Sequence, residues 1–305
     1  MDPESPAGGE QRPGPPAARA ALEPPAGRDP WQDLGALTSA RIALGRTGGS
    51  LRTESLLELR LAHAGARDAV QAPFDLEGVR QALAAGGLET ETLASAAQDR
   101  KTYLIRPDLG RALDPKTAER LTAAAASWGR RDLAVVVSDG LAASAAHGHA
   151  AKTVAELARL LGGEGWTLYP VFLVPFARVK IQDAIGGLLG ARHSIILLGE
   201  RPGLSAHDSL GAYLTYRPGE GRTDADRNCV SNIREDGLRP LAAARSLADL
   251  LIESRRRGLS GTALRESPGR AGAELPPATP PGGRNAPRPP GAPSPSGPTP
   301  PRDPR

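Results

Sequence analysis

Cysteine occurs once, at Cys229, so the 305-residue chain has no intrachain disulfide and no thiolate zinc cluster. A lone thiol fits a reducing compartment. Aromatic residues make up only 3% of the sequence, which leaves Leu, Val, Ile and Ala to build the core. No run approaches the ~18 apolar residues of a membrane helix. The opening Met1-Asp2-Pro3-Glu4 lacks the basic start and apolar stretch of a signal peptide, so neither export nor membrane insertion is expected. Lysine is rare as well, with Lys101, Lys116, Lys152 and Lys180 the only four among 38 basic residues. The net charge of +4 does not mark a nucleic-acid protein: residues 267–305 hold five arginines against Glu274 and Asp303, and no basic patch interleaved with aromatics lies between the ends.

Proline and glycine, in contrast, number 30 and 36 and crowd the two ends. Residues 1–30 and 267–305 read as disordered tails, because neither buries enough apolar surface to offset the entropy of ordering. Between them, residues 31–131 read as a helical lobe. Leu34, Leu37, Ile42 and Leu44 precede a Gly48-Gly49 break, after which Leu56, Leu57, Leu61 and Val70 continue at helical spacing behind a Thr53-Glu54-Ser55 cap signal. From Asp132 the texture changes to short apolar runs at 133–137, 168–174 and 194–198, separated by helical segments at 154–161 and 181–189. These runs are apolar almost throughout, as expected of strands buried on both faces of a parallel sheet. The order β-α-β-α-β predicts an α/β fold, a Rossmann-like parallel sheet over residues 132–266, with a further strand at 212–216 and a closing helix at 241–252.

In an open parallel sheet, ligands bind beyond the carboxyl ends of the strands. The turns there are Ser138-Asp139-Gly140-Leu141, Pro175-Phe176-Ala177-Arg178-Val179-Lys180 and Gly199-Glu200-Arg201-Pro202-Gly203. Asp139 fits a helix cap as well as a ligand contact. No G-x-G-x-x-G follows the first strand and no Walker A sequence occurs, which disfavours nicotinamide or P-loop chemistry. Of the five histidines, His147 and His149 are two apart and read as a solvated loop rather than a metal pair. Cys229 has no histidine in a nucleophile pattern and reads, from residue type alone, as a small buried side chain.

Six motifs carry a more specific signal. They are Asp33-Leu34 with residues 40–46, Lys101-Thr102-Tyr103-Leu104-Ile105-Arg106-Pro107-Asp108-Leu109-Gly110-Arg111, Val136-Val137-Ser138-Asp139-Gly140-Leu141, Arg178-Val179-Lys180-Ile181-Gln182-Asp183, Gly199-Glu200-Arg201-Pro202-Gly203-Leu204 and Asp226-Arg227-Asn228-Cys229-Val230-Ser231-Asn232-Ile233. In this order, covering nearly all of residues 33–257, they resemble the ethanolamine ammonia-lyase small subunit, or light chain. That resemblance implies an adenosylcobalamin-dependent lyase that converts ethanolamine to acetaldehyde and ammonia by radical chemistry. It implies a hetero-oligomer in which a large subunit holds the substrate and this chain helps hold the cofactor, contributing no catalytic acid or base. Val179, Glu200 and Cys229 match family positions that bind adenosylcobalamin: Val179 as an apolar contact, Glu200 as an acceptor for the amides around the corrin, and Cys229 as a small, weakly polar one. No D-x-H-x-x-G stretch supplies an axial histidine, and His207 follows Ser205-Ala206, so no cobalt ligand is expected from this chain. Some relatives are packaged in a bacterial microcompartment through an amphipathic N-terminal segment. Proline interrupts residues 1–30 from Pro3 to Pro30, so a cytoplasmic enzyme is expected, with a microcompartment the alternative. The competing functions are a stand-alone nucleotide-using enzyme of the same fold and a scaffold that has lost the cofactor.

Overall fold

A computed structural model of the chain describes residues 44–265 continuously, together with Leu34, Leu37, Thr38 and residues 40–42. The two expected tails lie outside the described residues. The Gly48-Gly49 break is the turn of a small hairpin, β1 (Arg46–Thr47) against β2 (Ser50–Leu51). Helix α1 (Thr53–Gln71) follows, one residue earlier than a Thr53 cap would place it: Arg52 occupies the cap and makes no side-chain cap bond.

Aspartates start the next three helices. Asp75 accepts from the Gly78 amide at the head of α2 (Leu76–Ala85), Asp99 from Thr102 at α3 (Arg100–Ile105), and Asp114 from Thr117 at α4 (Pro115–Trp128). Between α2 and α3 lies β3 (Thr90–Thr92), a strand within the stretch read as helical. It pairs in parallel with β5 (Val171–Leu173) and ties the N-terminal half to the sheet.

The sheet has six strands in the order β3-β5-β4-β6-β7-β8. β4 (Leu133–Ser138) and β6 (His193–Gly199) form its centre, every one of their residues buried. β3, β5, β4 and β6 run parallel. β7 (Leu210–Tyr216) and β8 (Arg227–Ile233) extend the sheet in antiparallel pairing. The α/β class and the Rossmann-like parallel core are therefore present, in a mixed sheet. Because successive strand residues point to opposite faces, Leu133, Val135, Val137, Ile195 and Leu197 feed one core while Ala134, Val136, Ile196 and Leu198 feed the other. The first core is closed by α2, by α6 (Ala151–Gly163) and by α8 (Pro240–Arg257). The second is closed by α4 and by α7 (Ile181–Leu189).

The histidine pair departs from the solvated loop expected of it. A three-residue α5 (Ala143–Ala145) leads into a π-helical turn, Ala146–Ala150, that continues into α6. His149 is buried there, and the His147 ring stacks on Phe74 with centroids 5.6 Å apart while its Nε2 accepts from the Asp75 amide. The two rings lie on different faces of this turn, His147 on the exposed one and His149 on the buried one. Among the described residues, no group of three or more His, Cys, Asp or Glu is placed to hold a metal ion, and no helix is long and apolar enough to cross a membrane.

Candidate functional site

The carboxyl ends of β4, β5 and β6 converge on a cavity of about 240 Å³, walled by residues of all three turns and by Tyr103 and Tyr213. Each turn is fixed by short-range chemistry. After β4, Asp139 is neither a helix cap nor open to a ligand. Its buried carboxylate pairs with Arg100 at 3.0 Å and accepts from the Phe176 amide at 2.7 Å and from the Ser138 hydroxyl. Burial outweighs these partners and pushes its carboxyl above the usual carboxylate range. Gly140 adopts φ +54° and sits so close to Gly199 that a Cβ would strike that residue's carbonyl and amide, so the turns after β4 and β6 interlock only as glycines.

Asp139 and Ser138 in turn pin the loop after β5. Ser138 accepts from the Ala177 amide, and Phe176 is held at φ 57°, a left-handed conformation uncommon for a non-glycine residue. The Arg178 amide donates to the Gly110 carbonyl at 2.7 Å. Val179 thereby reaches the cavity half-buried, two residues before the start of α7. From the other side, α3 places Arg100 and Tyr103 three residues apart on one face. Arg100 also donates to the carbonyls of Val70, Gly140 and Leu141. Tyr103 is fully buried, donates to the Ala177 carbonyl, and has its hydroxyl pushed up to about 12 by burial.

Glu200, first residue after β6, is held by two hydroxyls. Ser209 donates to Oε2 at 2.5 Å and Ser231 to Oε1 at 2.6 Å, with the Asn232 amide a longer third donor at 3.4 Å. The pairing of β7 with β8 shifts between Leu210 and Ala212, and Asn232 takes φ 59°. This bulge turns Ser231 and Asn232 towards the carboxylate, a use of bulges common beside functional sites. Cys229 lies opposite Tyr213 in the same ladder and shares a side-chain hydrogen bond with it. Burial, then Cys229, pushes the Tyr213 hydroxyl well above the usual phenol range. Cys229 is half-buried rather than enclosed, and it meets the cavity wall through Tyr213.

Val179 and Glu200 thus line one cavity, with Cys229 one side chain removed. Sequence reasoning gave no role to Tyr103, Arg178, Arg201 or Tyr213, which also line it, nor to Ser209 and Ser231, which hold Glu200. The Lys101–Arg111 and Arg178–Asp183 motifs carried two of these residues without marking them. A second cavity, about 330 Å³, opens at the opposite sheet edge near Arg130, Arg192 and Arg217, away from these turns.

Comparison with known proteins agrees with the motifs. The family model described as ethanolamine ammonia-lyase light chain (EutC) matches residues 28–265. The chain belongs to this family. The ethanolamine ammonia-lyase small subunit of Azotobacter vinelandii is 52% identical over 247 residues, covering 79% of this chain and 90% of its own. That of Xanthomonas campestris pv. campestris is 53% identical over 240 residues, covering 78% and 88%. That of Ralstonia nicotianae is 52% identical over 241 residues, covering 79% and 89%. The match spans both the N-terminal helices and the sheet, so all the elements that build the cavity fall inside it.

Proposed function

We propose that this chain is the small subunit of an adenosylcobalamin-dependent ethanolamine ammonia-lyase, and that its carboxyl-edge cavity grips one side of the cofactor while a large subunit covers the rest and holds ethanolamine. Membership of the family supports the assembly. The observation that carries the cofactor role is the Glu200 carboxylate, fixed by Ser209, Ser231 and Asn232 at the wall of the cavity. A carboxylate has about four lone-pair sites. Three donors leave it oriented with acceptor capacity for an amide N–H. Val179, Leu141 and the Tyr213 ring supply the apolar surface that a macrocycle fringed with amides requires.

The size of the cavity bears on the partner. Pockets that enclose a drug-sized ligand run to roughly 300–1,000 Å³. At about 240 Å³, this one takes an edge of a corrinoid, so a second protein surface is needed to exclude water from the remainder. When bound, adenosylcobalamin supplies the radical chemistry that turns ethanolamine into acetaldehyde and ammonia. This chain's residues bind and orient: Glu200 accepts, Val179 packs, and Cys229 steadies Tyr213.

The test is equilibrium binding. The chain co-expressed with its large subunit is titrated with cyanocobalamin, an inactive analogue, and followed by visible absorbance. The parent complex takes up the corrinoid, and Glu200→Ala weakens it by about tenfold or more, the loss expected for a hydrogen bond to a charged group. Uptake indifferent to Glu200→Ala contradicts the assigned site, and a stable complex with no uptake favours a scaffold.

A further inference from the structure

Arg178 lines the cavity with a positive charge, and Glu200 lines the same cavity with a negative one. Among the described residues no carboxylate forms an ion pair with Arg178, in contrast to Arg100 nearby, whose charge meets Asp139 at 3.0 Å. Its guanidinium lies over the Tyr103 ring at 4.2 Å, and Nη2 donates to the Tyr103 carbonyl at 3.3 Å. Nε is enclosed and makes no hydrogen bond. A guanidinium has five N–H donors, so most of its capacity is unused.

The side chain is also held in place. Its Cγ packs where a Cβ on Gly110 would come within 2.9 Å, and its own amide is tied to the Gly110 carbonyl. A half-buried, fixed cation without an ion-pair partner is costly. A cation–π contact offsets only part of that cost. The planar fork of arginine matches the oxygens of a phosphate, and Arg201 adds a second positive side chain at the same wall.

From these observations we infer that Arg178 is a ligand-contacting residue which recognises the phosphodiester of the cobalamin nucleotide loop. The inference rests on the cavity being the cofactor site. It divides the labour at that cavity: Glu200 accepts from neutral amides of the ring, and Arg178 donates to the acidic group on the ligand's periphery. It also makes the site selective for complete corrinoids over those that lack the nucleotide.

Cobinamide, which has the corrin ring and its amides but no phosphodiester, is the discriminating probe. The co-expressed complex is titrated with cyanocobalamin and with dicyanocobinamide, using the parent, Arg178→Gln, Arg178→Lys and Glu200→Ala, with assembly of each complex checked by size exclusion. Arg178→Gln weakens cobalamin binding by about tenfold to a hundredfold, as for a charge-assisted bond, and changes cobinamide binding less than twofold. Arg178→Lys, which keeps the cation and loses the fork, recovers part of the loss. Cobalamin binding by the parent falls as salt is raised, and that dependence shrinks in Arg178→Gln.

Equal weakening of both ligands by Arg178→Gln overturns the assignment, as does no weakening of either. Dissociation of the subunits in Arg178→Gln overturns it too, and makes an acidic side chain of the large subunit the counter-ion. Failure of the underlying site reading looks different: Glu200→Ala then leaves both ligands unaffected. A parent complex that binds no cobinamide is judged on the cobalamin salt dependence alone, where a flat parent curve overturns the proposal.

Discussion

Adding one methyl group at Gly211 separates binding from folding. A Cβ there would stand 2.8 Å from Glu200 Oε1, 3.1 Å from Glu200 Cγ and 3.2 Å from Tyr213 Cε2. The clash falls on side chains rather than on backbone. Alanine suits a strand better than glycine by roughly 0.5–1 kcal/mol, while overpacking costs roughly 1–3 kcal/mol. The net change in stability is therefore small, between about 0 and 2.5 kcal/mol of destabilisation. The carboxylate cannot yield without leaving Ser209 or Ser231, which hold its two oxygens. Gly211→Ala accordingly weakens cobalamin binding by about tenfold or more, the loss of a charge-assisted contact, while the complex still assembles. Gly162→Ala is the control, since a Cβ at that site in α6 meets nothing within 4 Å and gains helix stability. Urea unfolding and corrinoid titration are run on all three proteins. Unchanged affinity in Gly211→Ala refutes the claim that Glu200 is held by this geometry, and global unfolding refutes the claim that the clash is local.

Two further outcomes concern stability. Asp183 and Arg227 form a buried pair with two bonds of 2.8 and 2.6 Å, joining α7 to β8, so Asp183→Asn leaves a buried cation half-matched and costs about 3–5 kcal/mol in urea unfolding. A loss below 1 kcal/mol shows that the remaining partners of Arg227, Asp224 at 3.3 Å and the Thr215 hydroxyl at 3.1 Å, suffice to hold its charge. His193 is buried between Trp166 and Tyr216 with Nε2 3.0 Å from the Ser254 hydroxyl; burial first, then Arg192, lowers its pKa from 6.5 to about 3. Asp132 opposes that shift and Arg255 adds to it. The folded state keeps this ring neutral where the unfolded chain protonates it. The stability it confers is therefore complete above pH 6.5 and lost as pH falls towards 3, at up to ~1.4 kcal/mol per unit. Urea midpoints from pH 7 to 5 show this slope, His193→Gln flattens it, and an unaltered slope in that variant contradicts the assignment.

What could be read from the sequence follows the physics of each element. β4 and β6 are apolar on both faces because both cores need them, and continuous apolar runs announce such strands. The run at 212–216 announces β7, but nothing local fixes its antiparallel direction. β3 escaped because Thr90-Glu91-Thr92 is a short, polar edge. β8 escaped because its buried polar residues are matched only in three dimensions: Arg227 by Asp183, and Asn228 by the Gly261 carbonyl and amide. His147 and His149 fall on different faces as their two-residue spacing requires, and His147 is exposed; what the spacing did not reveal is that they lie in a π-helical turn that buries His149.

The cavity was legible as a place and only partly as a set of residues. Its turns follow parallel strands, which singled out the segments bearing Val179 and Glu200, while Cys229 came from the resemblance alone. Tyr103, Arg178 and Tyr213 come from a helix, a loop and a strand far apart in sequence, and no spacing rule links them. Ser209 and Ser231 became visible only once the bulge between β7 and β8 set them against one carboxylate.

The most direct measurement is release of ammonia and acetaldehyde from ethanolamine in the presence of adenosylcobalamin, comparing this chain, a candidate large subunit and the two co-expressed. Activity found only in the co-expressed complex, and diminished by Glu200→Ala, is the predicted result. A folded, cobalamin-loaded complex that releases neither product, or a large subunit fully active on its own, would contradict the account.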